Sequence, residues 1–133
     1  MSLYVDSSAL LKRYVDEPDS PLAETLLLGD PEWVTARHTE IEVRRNLARL
    51  LTGPALAEAR EHLQADLENM DVVELDATTC ALAATAAELS GARTLDALHI
   101  AAAQRLGGLV TFLTFDVRQA QAARLLDLHV VGA

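Results

Sequence analysis

Short apolar runs alternate along this chain with segments of helical period, and that alternation leaves few folds open. Residues 2–5, Trp33-Val34-Thr35, Val72-Val73-Glu74-Leu75, Leu109 to Thr114 and Leu128-His129-Val130-Val131 read as strands. Helical segments fill the intervals. Asp6-Ser7-Ser8 offers N-cap chemistry for a helix carrying Leu10, Leu11 and Tyr14. Ser20-Pro21 caps a second helix that runs through Leu28, with Gly29 as its stop. A third runs from Thr39 to Thr52 with Val43, Leu47, Leu50 and Leu51 on one face, and Gly53-Pro54 breaks it and starts a fourth to Asn69. An Ala-rich helix ends at Ser90-Gly91, Thr94 caps a helix over 95–106, and residues 117–126 form the last. Strands that alternate with helices predict a mostly parallel sheet covered on both faces, in one α/β domain spanning residues 1–133.

Four acids hold recurrent places in this pattern. Asp6 follows the first strand in Leu-Tyr-Val-Asp-Ser-Ser, and Asp116 follows the fourth in Thr-Phe-Asp. Glu42 and Asp96 open helices, in Thr-Glu-Ile-Glu-Val and Thr-Leu-Asp-Ala-Leu-His. In an open α/β sheet such positions lie near the carboxyl edge, where ligand crevices form. Carboxylates converging there repel unless a cation sits between them, and an all-oxygen donor set suits Mg²⁺ or Mn²⁺. Metal-assisted phosphodiester chemistry follows as the first hypothesis. Ser7, Ser8 and Thr114 could hold the ligands or waters through their hydroxyls.

Each acid alone has a plainer explanation. Asp6 and Asp116 could simply cap helices, and Asp96 lies where any acid favours the helix dipole. Glu42 stands three after Thr39, the spacing of a capping box. Four such acids on strand and helix ends that share one sheet edge are harder to explain as caps alone.

Half of the residues are hydrophobic and 4% aromatic, so the core must be built from Leu, Ala and Val. The single cysteine, Cys80, cannot form an internal disulfide and is expected as a buried, inert thiol in its Ala-rich helix. The N-terminal stretch has no basic region, and no apolar run nears about 18 residues, so neither a signal peptide nor a membrane span is expected and the cytoplasm is the default.

A formal charge of −9 argues against a general nucleic-acid binder. Carboxylates that ligate a metal would account for part of that charge, and Arg37, Arg44, Arg45 and Arg49 fall within thirteen residues around Glu42. Arg45 and Arg49 are candidate phosphate contacts. An ordinary solvated helix face with Glu40–Arg44 and Glu42–Arg45 pairs is the competing account.

Other chemistries lack their parts. There is no Gly-x-Gly-x-x-Gly, no Walker Gly-Lys-Ser/Thr and no Gly-x-Ser-x-Gly elbow. The four histidines are scattered along the chain and give a zinc site little support; His99, three after Asp96, could approach the site, but a surface or packed ring is the plainer expectation.

The residues that carry a resemblance are Tyr4-Val5-Asp6-Ser7-Ser8-Ala9-Leu10, Thr39-Glu40-Ile41-Glu42-Val43-Arg44-Arg45, Leu95-Asp96-Ala97-Leu98-His99-Ile100-Ala101-Ala102-Ala103 and Leu113-Thr114-Phe115-Asp116. In that order and spacing the chain resembles the PIN-domain family, most closely the VapC-type ribonuclease toxins of toxin–antitoxin modules. The resemblance implies a PIN-like three-layer α/β/α sandwich, an acidic Mg²⁺ or Mn²⁺ site formed by Asp6, Glu42, Asp96 and Asp116, and endonucleolytic cleavage of RNA. It also implies inhibition by a small cognate antitoxin, and a homodimer. It selects Glu42 over Glu40, a choice that helical phase leaves open, because the apolar stripe points nearer Glu40. Asp127 departs from the pattern, standing where relatives often have Gly.

Two rival functions fit less well. A catalytically silent PIN-like module acting through protein contacts would not need all four acids. A phosphoryl-accepting receiver domain would need an acid pair after the first strand and a late lysine, whereas Asp6 stands alone and the sole lysine is Lys12.

Overall fold

The computed structural model describes residues 2–133. Five strands, β1 (Ser2–Val5), β2 (Trp33–Ala36), β3 (Asp71–Val73), β4 (Val110–Thr114) and β5 (His129–Gly132), form one sheet in the order β3-β2-β1-β4-β5. Every pairing is parallel, with Leu3 opposite Trp33 and Thr111, and Thr114 opposite Gly132. Seven helices make the crossovers: α1 (Ser7–Leu11), α2 (Ser20–Leu28), α3 (Thr39–Leu50), α4 (Gly53–Glu68), α5 (Ala77–Ser90), α6 (Thr94–Gln104) and α7 (Val117–Leu125).

Alternation along the central strands builds two cores, because successive side chains leave a strand on opposite faces. Leu3, Val5 and Leu113 pack with Leu10, Leu27, Val43, Leu47 and Leu63, from α1 to α4. Tyr4 and Phe112 pack with Ala86, Ile100, Ala102 and Ala123, from α5 to α7. The expected three-layer α/β/α sandwich is therefore what forms. The chain runs outward from β1 through β2 to β3, then returns to the other side of β1 as β4. That reversal between β1 and β4 places a ligand-prone crevice at their carboxyl ends.

Several local expectations change. Ser20 and Thr94 are the first residues of their helices, and the preceding Asp19 and Arg93 sit at the N-caps without a side-chain capping bond. Ser20 Oγ instead donates to Val15 O and accepts from Glu17 N. The Thr39–Glu42 capping box does not form, because the Thr39 hydroxyl is bonded to that of Thr35 at 2.6 Å. In α3 the buried seam is Thr39, Val43 and Leu47, so Leu50 remains half exposed. Cys80 is exposed rather than buried: α5 turns Thr79, Ala83 and Ala86 inward and leaves Cys80 on the solvent side.

Two turns near the C-terminus follow from backbone demands. Asp127 adopts φ +64°, a region that glycine enters freely and Asp tolerates better than most residues, which accounts for the departure noted at this position. At Gly132, with φ +103°, an added Cβ would lie 2.3 Å from the Thr114 carbonyl oxygen, so β5 can approach β4 there only as glycine.

Candidate functional site

Asp6 and Asp116 leave the ends of β1 and β4, side by side in the sheet, and both cap the helices that follow. Asp6 Oδ1 accepts from Ala9 N at 3.0 Å and from Ser8 Oγ at 2.7 Å, while Oδ2 accepts from Thr114 Oγ1 at 2.5 Å. Asp116 Oδ1 accepts from Arg118 N and Gln119 N. The capping role and the site role thus coincide in the same side chains. Thr114 Oγ1 also accepts from Asp116 N at 3.1 Å, and Phe115 N donates to Ser8 Oγ at 2.9 Å. Ser8 and Thr114 therefore fix the first acid against the turn that carries the last.

Glu42 reaches the same region from α3. Its Oε1 accepts from Ser7 Oγ at 2.6 Å and lies 2.7 Å from His99 Nε2. Of the two pairs in the solvated-face account, Glu42–Arg45 is absent among the described residues, whereas Glu40 does lie beside Arg44 at 3.8 Å. A carboxylate only accepts, so Nε2 of His99 carries the proton. In the neutral ring Nδ1 then accepts from the Tyr4 hydroxyl at 2.7 Å, a tautomer assigned from its partners. Tyr4 and His99 are both buried. His38, also buried, packs against His99 with ring centroids 4.1 Å apart and the planes tilted by 38°, and places Nε2 3.7 Å from Glu42 Oε1. Scattered in sequence, these two histidines are neighbours in space. Among the described residues, His38, Glu42 and His99 are the metal-capable donors that close to within 4.8 Å of one another.

Asp96, in the first turn of α6, completes the acidic group. Burial lifts its carboxyl above the ordinary value, the charge of Asp116 lifts it further, and Glu42 and Asp6 add to the effect, against an opposing contribution from His99. Burial likewise raises Asp6, only partly offset by His99 and by the bonds from Thr114, Ser8 and Ala9. Burial would also raise Glu42, but the hydrogen bond and charge of His99 and the bond from Ser7 outweigh it and hold this carboxyl below its usual value. His38 is pushed down to about 4 by burial and by His99, so its ring is neutral at pH 7.

The four acids thus share one electrostatic field, yet no three of them close into a tight cage among the described residues. No Lys or Arg side chain among the described residues bonds to any of them. Net negative charge held in a partly desolvated, oxygen-rich site suits a hard divalent cation, and Mg²⁺ in particular keeps several waters and needs only one or two carboxylates. Arg45 and Arg49 lie on exposed positions of α3, three and seven residues beyond Glu42, with Arg49 bonded to Asn46.

The family model for the PIN domain matches residues 3–125. Ribonuclease VapC46 of Mycobacterium tuberculosis (strain ATCC 25618 / H37Rv) is 34% identical over 132 residues, 98% of this chain and 97% of that protein. Among solved structures, FitAcB from Neisseria gonorrhoeae superposes with a TM-score of 0.79 at 18% identity, covering 96% of this chain and 95% of that one. A toxin–antitoxin complex from Klebsiella pneumoniae superposes with a TM-score of 0.68 at 13% identity, covering 90% and 89%. No helix among the described residues is long and apolar enough to cross a membrane.

Proposed function

Since the chain belongs to the PIN-domain family, among its VapC-type ribonucleases, we propose that it is an Mg²⁺- or Mn²⁺-dependent endoribonuclease toxin, with residues 1–133 acting as one domain. It cleaves RNA phosphodiester bonds in the cytoplasm, is neutralised by a small cognate antitoxin, and works as a homodimer. The observation that carries this reading is the position of Asp96, which feels the charges of Asp116, Glu42 and Asp6 although the four come from separate elements. Such crowding costs stability, and a bound divalent cation would offset it.

Asp6, Glu42, Asp96 and Asp116 would hold the ion. A bound divalent cation supplies Lewis-acid charge that acidifies a water and stabilises negative charge on phosphoryl oxygens. The chain's own contribution is placement. Ser8 and Thr114 hold both oxygens of Asp6. Ser7 and His99 anchor Oε1 of Glu42. The N-termini of α1 and α7, capped by Asp6 and Asp116, add partial positive charge beside the acids. Arg45 and Arg49 contact RNA phosphates beyond Glu42.

The alternative, a catalytically silent binding module, is disfavoured by the four acids together. The deciding experiment is cleavage of RNA by nuclease-free protein with Mg²⁺ or Mn²⁺, then with excess EDTA. Metal should permit cutting and chelation should stop it; undiminished cutting in chelator would refute the metal mechanism.

A further inference from the structure

A cavity of about 470 Å³ opens beside the acidic group, between the α5–α6 corner and α7, and Asp96, Asp116, Arg93, Arg118, Ser90 and Gly91 are among its lining residues. Its size lies within the range of natural ligand pockets. Among the described residues Arg45, Arg60, Arg93 and Arg118 have no ion pair or side-chain hydrogen bond, and of these four Arg93 and Arg118 line the cavity. Lys12, Arg13, Arg37, Arg44 and Arg105 each have a carboxylate partner. Arg93 and Arg118 are exposed and have no ion pair or side-chain hydrogen bond among the described residues, on a chain whose formal charge is −9. Both also sit where a cation is locally disfavoured, Arg93 at the N-cap of α6 and Arg118 in the first turn of α7. Unpaired guanidinium groups in unfavourable places, lining the same cavity as two proposed metal ligands, indicate that their partner is not part of this chain.

We propose that Arg93 and Arg118 form a subsite for the RNA backbone, binding phosphates adjacent to the one that is cleaved. The proposal rests on the ribonuclease reading and deepens it, placing the substrate track over the α6–α7 side of the site. Guanidinium groups match phosphate oxygens in two-pronged geometry and, unlike base contacts, carry no sequence preference. The subsite therefore contributes affinity and register, while base selection lies elsewhere.

The test uses the full chain in a Glu42→Gln background to suppress cutting, in Mg²⁺ buffer, with a fluorescein-labelled single-stranded RNA of mixed sequence followed by anisotropy over a KCl series. Arg93→Gln and Arg118→Gln should each weaken binding about tenfold, equally for unrelated RNA sequences. The double variant should flatten the slope of log affinity against log salt by about 1.4, from about 0.7 for each lost phosphate contact. Arg60→Gln, an identical charge change on α4, should leave binding near the parent value. Loss of affinity from Arg60→Gln equal to that from the cavity variants would reduce the effect to general electrostatics and overturn the subsite. Unchanged RNA binding in the double variant, with weakened binding of a co-expressed antitoxin, would assign the arginines to a protein surface and also overturn it. If the parent chain neither binds nor cuts RNA, the ribonuclease reading fails first and the subsite falls with it.

Discussion

Replacing Tyr4 by Phe removes one buried hydroxyl and little else. The ring still stacks on Phe112 at a centroid distance of 5.1 Å and still meets His99 edge-on at 5.8 Å, so no cavity larger than the hydroxyl opens. The loss falls on His99 Nδ1, an acceptor in a ring only 2% exposed. Leaving such an acceptor unpaired costs about 1–3 kcal/mol. For a chain of 133 residues, 2 kcal/mol corresponds to a fall of about 8 °C in melting temperature. Function should suffer beyond stability, because the Tyr4 hydroxyl keeps the His99 proton on Nε2, facing Glu42. Without it the ring gains freedom to move that proton, and the Glu42 carboxylate loses a constant donor. Outer partners of metal ligands typically govern metal affinity or activity by 10–100-fold, and about tenfold is expected here. Thermal melts, Mn²⁺ titration calorimetry and RNA cleavage on the same preparations check the three effects, with imidazole ¹⁵N shifts reporting the tautomer. Melting with the parent would refute the burial argument. A destabilised variant whose Mn²⁺ affinity, cleavage and ¹⁵N shifts match the parent would refute the coupling to Glu42.

Asp96→Asn should abolish cleavage and relieve growth arrest while melting at or above the parent temperature, since it removes a carboxylate lifted by burial and by Asp116; inactivity accompanied by unfolding in circular dichroism would count against a ligand role. Glu42→Gln should abolish cleavage and Glu40→Gln should spare it, in paired assays with matched melts, and the reverse result would move the ligand to Glu40. The His38 ring is held down to about 4 in the folded chain against about 6.5 in an unfolded one, so the unfolded state binds more protons between those values. The His38 contribution to stability is therefore fully present above pH 6.5 and is lost as pH falls toward 4. His38→Gln should flatten that part of the melting-temperature profile relative to the parent, and parallel profiles would refute it.

By itself the sequence determined the sheet-and-helix alternation, the three layers and the identity of the acids at strand and helix ends. Those features depend on period and on neighbours a few residues away, which a linear chain displays. Asp6 and Asp116 were legible because a capping position at the end of a parallel strand is also an edge position. Glu42 was singled out by the motif around it, since helical phase left the choice between Glu40 and Glu42 open. What the tertiary structure alone decided depends on packing between distant segments. His99 meets Tyr4 across 95 residues and Glu42 across 57, and no local period marks those pairings. His38 joins them only once α3 and α6 pack beside β1. The Ala-rich α5 presents small apolar residues around its whole circumference, so its sequence could not reveal that Cys80 faces solvent. Nor could sequence reveal that Gly132 passes against the Thr114 carbonyl, or that Arg93 and Arg118, 25 positions apart, share one cavity with Asp96 and Asp116. Local chemistry selects the residues at the sheet edge, and the crossovers that carry α3, α6 and α7 to that edge decide which of them meet.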